Sequence, residues 1–306
     1  MANKKTAVEI DGRELMLSNL DKVLYPEADF TKAAVIDYYA RIADVMVPHL
    51  VDRPVTLRRF PDGVAGEAFF ATQRPSHAPE WVGAMRLASR SGRQGRDFID
   101  YPLLSDRPSL VWAANLAALE LHVPLWHGAV GDEPASPDHL VFDFDPGPGT
   151  TIVECCRIAM WVRDLLKNNT SAVAKTSGSK GLQVYASRAG KTWGDIRDEV
   201  LGIAQALEQK HPEHVVVSQD KKLRQGKVLI DWSQNHPAKT TVAVYSLRAT
   251  PLPTASTPVT WEEVERCATE GDPTLLRFVA SDVLARVDQH GDLFAPLLAK
   301  RRGKKR

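Results

Sequence analysis

The chain has 306 residues, 43% of them hydrophobic and 25% charged, with a formal net charge of +1. That suits a globular protein with room for one large core or two modest ones, and it excludes a disordered or strongly basic chain. No apolar run nears the roughly 20 residues of a membrane span, and the start MANKKTAVEIDGREL lacks the apolar stretch of a secretory signal, so a membrane partner is not expected.

In chain order, residues 31–47 (TKAAVIDYYARIADVMV) read as a helix capped by Thr31, with Val35, Tyr38, Tyr39 and Ile42 at helical spacing. Residues 85–98 are rich in Gly, Ser and Arg and read as a loop or twisted hairpin. Residues 109–121 (SLVWAANLAALEL) read as a second helix leading to His122. HLVFDFDPGPGT reads as a strand running into a Pro/Gly turn, and residues 151–167 as an amphipathic helix. AVAKTSGSKGLQVYA reads as two short strands around a Gly/Ser loop, KVLIDWSQ as another strand, residues 251–258 as a turn-rich connector and 261–298 as helical. Strands and helices without strict alternation predict an α+β fold.

The three cysteines, Cys155, Cys156 and Cys267, form no CxxC pair and no disulfide framework, which points to a reducing cytoplasm. Their helical positions read as structural, and the histidines and cysteines show no zinc-ligand spacing. Basic residues cluster at Arg53, Arg58 and Arg59, at Arg86, Arg90, Arg93 and Arg96, at Lys221, Lys222, Arg224 and Lys227, and in the final KRRGKKR. Such clusters are solvated faces unless other residues make them a phosphate-binding groove.

The chemistry centres on LVFDFDPG. Residues two apart on a strand share a face, so Val141, Asp143 and Asp145 point one way and Leu140, Phe142 and Phe144 the other. Paired carboxylates repel, and a hard divalent cation such as Mg²⁺ or Mn²⁺ relieves the repulsion. A DxD pair at a strand end is also compatible with two solvated acids. Asp231, among the aliphatic residues of KVLIDWSQ, supplies a third acid, read as sharing a strand face with Leu229. Three carboxylates from two strands can serve two cations about 3.5–4 Å apart, the arrangement used in phosphoryl transfer. Between them lies TSGSKG (176–181), a plain hairpin turn or, beside such acids, a triphosphate cradle with Lys180 as its point charge. It lacks the spacing of a Walker A loop. His122 alone reads as a core histidine, and Phe69-Phe70 as one residue in and one out, or as a base-stacking pair. These residues serve a nucleotidyltransferase, a metal-dependent nuclease or phosphodiesterase, or a non-catalytic DNA end-bridging module.

Taken together, SNLDKVLYP (18–26), TKAAVIDYYA (31–40), RPVTLRRFPDGV (53–64), AFFATQ (68–73), ALELHVPLW (118–126), LVFDFDPGPG (140–149), TSGSKGLQVY (176–185), GKVLIDWSQN (226–235) and KTTVAVYSLR (239–248) resemble the polymerase domain of bacterial ligase D, of the archaeo-eukaryotic primase superfamily. The resemblance runs from about Leu17 to Leu293 and implies a primase-like core of mixed or antiparallel sheets flanked by helices, with a single catalytic domain over 1–295 and a basic tail over 296–306. It implies template-directed nucleotide addition in DNA break repair, favouring ribonucleotides, with Mn²⁺ or Mg²⁺ in a two-metal site. The partners it implies are gapped, overhanging or 5′-phosphorylated DNA, NTPs and dNTPs, a DNA ligase and the Ku end-binding protein, in a cytoplasmic, nucleoid-associated setting. By the same resemblance, Asp143, Asp145 and Asp231 are the metal ligands; His122, Ser177, Lys180, Gly181 and Arg248 contact the nucleotide; and Phe69 and Phe70 stack at nucleotide and template. Lys22, Lys32 and Asn19 form the pocket for a DNA 5′-phosphate, and Arg58, Arg59, Lys221 and Arg224 add further contacts. One departure is Gln183, where the family usually has His; a glutamine cannot carry charge or exchange protons near neutral pH.

Overall fold

Thr31 caps the first long helix by accepting from the Ala34 amide, and the apolar face read from the sequence turns inward, as the computed structural model of the chain shows. The structure describes residues 5–89, 97–166, 172–188 and 190–298. Arg90, Arg93 and Arg96, and the basic tail from residue 299, lie outside the described residues.

An N-terminal hairpin pairs β1 (Lys5–Ile10) with β2 (Arg13–Ser18), and a second, smaller one pairs β3 (Val23–Tyr25) with β4 (Phe30–Thr31), which leads into α1 (Lys32–Met46). β5 (Thr56–Arg59) and β6 (Phe69–Ala71) follow. The segment around 85–98 is a hairpin at its ends, β7 (Ala84–Ala88) against β8 (Phe98–Pro102). The expected helix over 109–121 is instead α2 (Arg107–Asn115) followed by β9 (Ala118–Val123). The chain turns at Leu116 and at Ala117, which has φ +57°. The run is apolar on every side and buried in both elements, so its periodicity carried no sign of the break.

After a two-stranded clip, β10 (Ala129–Val130) with β11 (Glu133–Pro134), come β12 (His139–Pro146), α3 (Ile152–Leu165), β13 (Val173–Thr176), β14 (Leu182–Ser187), α4 (Trp193–Lys210), β15 (Val215–Val216), β16 (Val228–Ile230), β17 (Thr241–Val242) and β18 (Pro258–Val259). The helical reading of 261–298 resolves into α5 (Trp261–Glu270), stopped by Gly271, and α6 (Ala280–His290). Two short 3-10 turns, Pro273–Leu276 and Ala295–Leu297, fill the rest.

The fold is α+β, as expected. A six-stranded sheet has the order β15-β16-β12-β14-β13-β18, antiparallel except for β15 with β16, and a four-stranded sheet has the order β17-β9-β5-β6. One face of β12 and β14 packs Leu140, Phe142, Phe144, Leu182 and Val184 against α3, α4 and α5. On the opposite face, Val141 and Tyr185 join the core built with α1, α2, β5 and β9. The strand alternation thus turns the aspartate face of β12 toward the second sheet. Hydrogen bonds from the Thr241 hydroxyl to the Tyr185 phenol oxygen (2.9 Å) and from Lys175 Nζ to the Val242 carbonyl (3.0 Å) tie the sheets together. All three cysteines are buried and free. Among the described residues no helix is long and apolar enough to cross a membrane.

Candidate active site

Asp143 and Asp145 lie on the same face of β12, Asp143 opposite Gln183 on β14 and Asp145 opposite Leu229 on β16. Asp231 lies not on the strand, as the sequence suggested, but one residue past it, capping a 3-10 turn over Trp232–Gln234. Its backbone N–H donates to the Asp143 carbonyl (2.8 Å), which brings the third acid beside the other two. Burial first, then the charges of Asp145 and Asp231, push the Asp143 carboxyl up to about 7, against a hydrogen bond from Gln183 Nε2 (3.0 Å). Burial and Asp231 raise Asp145 as well, opposed by Arg224 and Arg248.

Among the described residues no three His, Cys, Asp or Glu side chains are arranged to hold a metal ion. The Asp231 carboxylate is engaged locally, accepting from Ser233 N (3.0 Å), Ser233 Oγ (2.6 Å), Gln219 Nε2 (2.9 Å) and Gln234 Nε2 (3.0 Å). The donor set nevertheless fits a divalent cation: three hard oxygen ligands on adjoining strand ends, with two carboxyls held above their ordinary range by burial and mutual repulsion.

The 176–181 loop is locked beside the acids. Ser177 Oγ accepts from Ser179 N (3.2 Å) and Gly181 N (3.0 Å). A Cβ on Gly181 would lie 2.2 Å from the Phe144 carbonyl oxygen, and Gly178, at φ +70°, leaves no room for one beside Arg248 Cγ. Lys180 is exposed and lines a cleft of about 860 Å³ together with Pro146, Thr151, Thr254 and Arg277; none of the three aspartates lines it.

The second sheet brings the other candidates. His122 lies on β9 rather than after a helix, and its Nε2 is 2.9 Å from Glu120 Oε2. Glu120, which sequence reasoning passed over, is 2% exposed and is the hub of this side. It accepts from Arg58 Nη1 (3.1 Å) and from the Ala249 amide (3.0 Å), and Arg248 Nε lies 3.5 Å away. Its signal was an acid two residues before His122, a same-face pairing visible only once the segment is read as a strand. Phe69 and Phe70, on β6, are both outside, 44% and 63% exposed. The Arg59 guanidinium lies 5.0 Å from the Phe69 ring, and Arg58 5.6 Å from Phe70, whose edge meets His122. The buried Nε atoms of Arg224 and Arg248 have no hydrogen-bond partner.

Of the expected phosphate pocket, Lys22 and Lys32 come near each other, and Arg59, expected only among the further contacts, joins them: burial, then Arg59, then Lys22 lower the Lys32 ammonium to about 8. Lys32 Nζ donates to the Ser18 carbonyl (2.7 Å), Lys22 Nζ pairs with Asp62 (2.7 Å), and the Asn19 carbonyl accepts from the Lys22 amide (3.0 Å). Lys221 lies apart from them, on the short 3-10 turn that ends at Arg224.

The sequence model of the LigD primase-polymerase domain matches residues 31–294. The chain is 46% identical over 285 residues to the multifunctional non-homologous end joining protein LigD of Mycolicibacterium smegmatis, covering 92% of this chain and 36% of that protein. It is 40% identical over 297 residues to the LigD of Mycobacterium tuberculosis, covering 93% and 37%. The chain therefore spans little more than a third of these relatives. A solved structure described as the polymerase domain from Mycobacterium tuberculosis ligase D in complex with DNA superposes with a TM-score of 0.85 at 39% identity, over 94% of this chain and 98% of that one.

Proposed function

We propose, from the premise that this chain belongs to the LigD primase-polymerase domain family, that it adds nucleotides to DNA ends and gaps during non-homologous end joining. In this reading residues 1–295 form a single catalytic domain, with a ligase and Ku as partners. The observation that carries the reading is the cluster of Asp143, Asp145 and Asp231 beside the glycine-locked loop that presents Lys180. Asp143 and Asp145, joined by Asp231 when it leaves Ser233, would hold Mn²⁺ or Mg²⁺. When bound, such ions activate the attacking hydroxyl and steady the leaving oxygens of a phosphoryl transfer. Lys180, Arg248 and the loop amides bind and orient the triphosphate, His122 and Ser177 face its sugar end, and Phe69 and Phe70 offer stacking planes to nucleotide and template. Arg224, Arg58, Arg59 and Lys221 supply further positive charge along the nucleic acid.

The test is extension of a gapped, 5′-phosphorylated duplex with each NTP and dNTP under Mn²⁺ and Mg²⁺. The expected result is lengthening, with ribonucleotides used at least as well as deoxyribonucleotides and more activity with Mn²⁺ than with Mg²⁺. Shortened DNA would instead indicate a nuclease, and binding without extension a bridging module.

Burial and the nearby charges of Arg59 and Lys22 depress the Lys32 ammonium, and this gathering of cations supports a pocket for a downstream 5′-phosphate. A terminal phosphate carries about −1.5 to −2 charge, more than a diester. Wild type should therefore prefer a 5′-phosphate over a 5′-hydroxyl gap by roughly tenfold at low salt, about 1.4 kcal/mol. The preference should shrink as salt rises. The Lys22→Ala/Lys32→Ala double variant should lose most of it in a fluorescence-anisotropy comparison of the two ends. Equal discrimination by the double variant would move the phosphate to another cluster.

A further inference from the structure

We infer that Lys175 and Gln183 are positioning residues that form a buried relay fixing the orientation of the Asp143 carboxylate toward its cation. Lys175, Gln183 and Asp143 are register partners in one row across β13, β14 and β12: Lys175 opposes Gln183, and Gln183 opposes Asp143. They therefore share the face of the sheet that carries the acids.

Lys175 is 1% exposed, a costly place for an ammonium unless every N–H is met. Each is: Nζ donates to Gln183 Oε1 (2.6 Å), Ser256 Oγ (2.7 Å) and the Val242 carbonyl (3.0 Å). These acceptors come from three separate stretches of chain, so the ammonium cannot swing. Its hydrogen bonds go to neutral acceptors, so its hydrogen-bonded route to Asp143 runs through Gln183; burial lowers the ammonium to about 7, and the direct attraction of the Asp143 carboxylate opposes that fall.

Gln183 is 3% exposed, and its amide has one orientation available. An ammonium has donors and no acceptor, so the carbonyl oxygen of Gln183 must face Lys175. The Tyr185 hydroxyl donates to that same oxygen (3.2 Å). The amide nitrogen is thereby forced toward Asp143, where Nε2 donates to Oδ1 at 3.0 Å. One oxygen of the carboxylate is pinned by a neutral donor, and its twin is left for the ion. Partners behind metal ligands commonly act in this way, setting ligand orientation at a cost of about 10–100-fold in affinity when removed. The glutamine that stands where the resemblance leads one to expect histidine thus has a defined task, one that needs no change of charge.

The inference rests on the reading that Asp143 binds a divalent cation, and the experiment separates the two. Free Mn²⁺ is titrated by electron paramagnetic resonance against wild type, Asp143→Ala, Lys175→Met, Gln183→Leu and the Lys175→Met/Gln183→Leu pair, without nucleotide or DNA. Folding of each variant is checked by thermal melting. Lys175→Met and Gln183→Leu are each expected to weaken Mn²⁺ about tenfold. The double variant should bind no more weakly than Gln183→Leu, because the positioning effect of Lys175 passes through Gln183. Charge alone predicts the reverse, since deleting a buried cation near an acid cluster would tighten Mn²⁺. Unchanged or tighter binding by Lys175→Met, or additive losses in the pair, overturns the relay. If Lys175→Met does not fold, Gln183→Leu decides alone, and wild-type affinity there overturns it. Wild-type affinity in Asp143→Ala refutes the metal-site reading itself.

Discussion

Asp143→Ala and Asp145→Ala are each expected to reduce nucleotide addition about a thousandfold while leaving DNA binding intact. Both carboxylates stand on one face of β12, with burial first and then the charges of Asp145 and Asp231 pushing Asp143 up to about 7. A pair of acids in that condition is arranged for a cation rather than for a polyanion. Losing one ligand forfeits transition-state charge stabilisation of several kcal/mol, and about 4 kcal/mol corresponds to a thousandfold in rate. In the proposed reading DNA affinity depends, by contrast, on cations such as Lys22, Lys32 and Arg59, and removing an acid should hold it steady or raise it slightly. Single-turnover primer extension and a parallel binding titration make the check. Extension within tenfold of wild type in either variant would remove Asp143 and Asp145 from the chemistry.

Glu120→Gln should produce the largest loss of stability among the site residues, about 3 kcal/mol at neutral pH. Glu120 is the one buried acid that Arg58, His122 and Arg248 share, and an amide would leave the two guanidinium charges without a counter-ion and the His122 ring without its carboxylate partner. Burial by itself would raise the Glu120 carboxyl. The His122 hydrogen bond, the Arg248 charge and the Ala249 N–H outweigh it and hold the group at about 2. An acid held below its unfolded value, about 4.3, stabilises the fold above that pH and loses the contribution as pH falls through its folded value. The stability gap between wild type and Glu120→Gln should therefore be full at pH 7 and narrow between about pH 4 and 2. Urea denaturation across this range measures it, and a gap that does not change with pH would refute the assignment. Because Arg248 and His122 are held by the same carboxylate, the variant should also raise the KM for nucleotide.

Some of the site is written locally. The alternation in LVFDFDPG determines which side chains of β12 enter a core and which two acids share a face, because strand geometry leaves no other choice once Leu140, Phe142 and Phe144 must be buried. The cap at Thr31 and the spacing of Val35, Tyr38, Tyr39 and Ile42 determine α1 in the same way. Ordered motifs along the chain point by themselves to the family, to the three aspartates and to the loop around Lys180.

What no local pattern contained is the set of neighbours drawn from distant stretches. The break between α2 and β9 fell in a run apolar on all sides, so only pairing with β5 decided that Leu119 and Leu121 lie on a strand and that Glu120 and His122 share its face. Asp231 looked like a strand residue, yet β16 ends before it, and a carboxylate that can cap its own turn through Ser233 takes that option. Lys175 carries no signal as a single residue, and Gln183 only that of a glutamine where the family usually has histidine. Their meaning comes from the register of three strands, which sets a buried ammonium, an amide and an acid in one row; the sequence determined which side chains face the site, and the pairing of strands far apart in the chain decided what each one meets there.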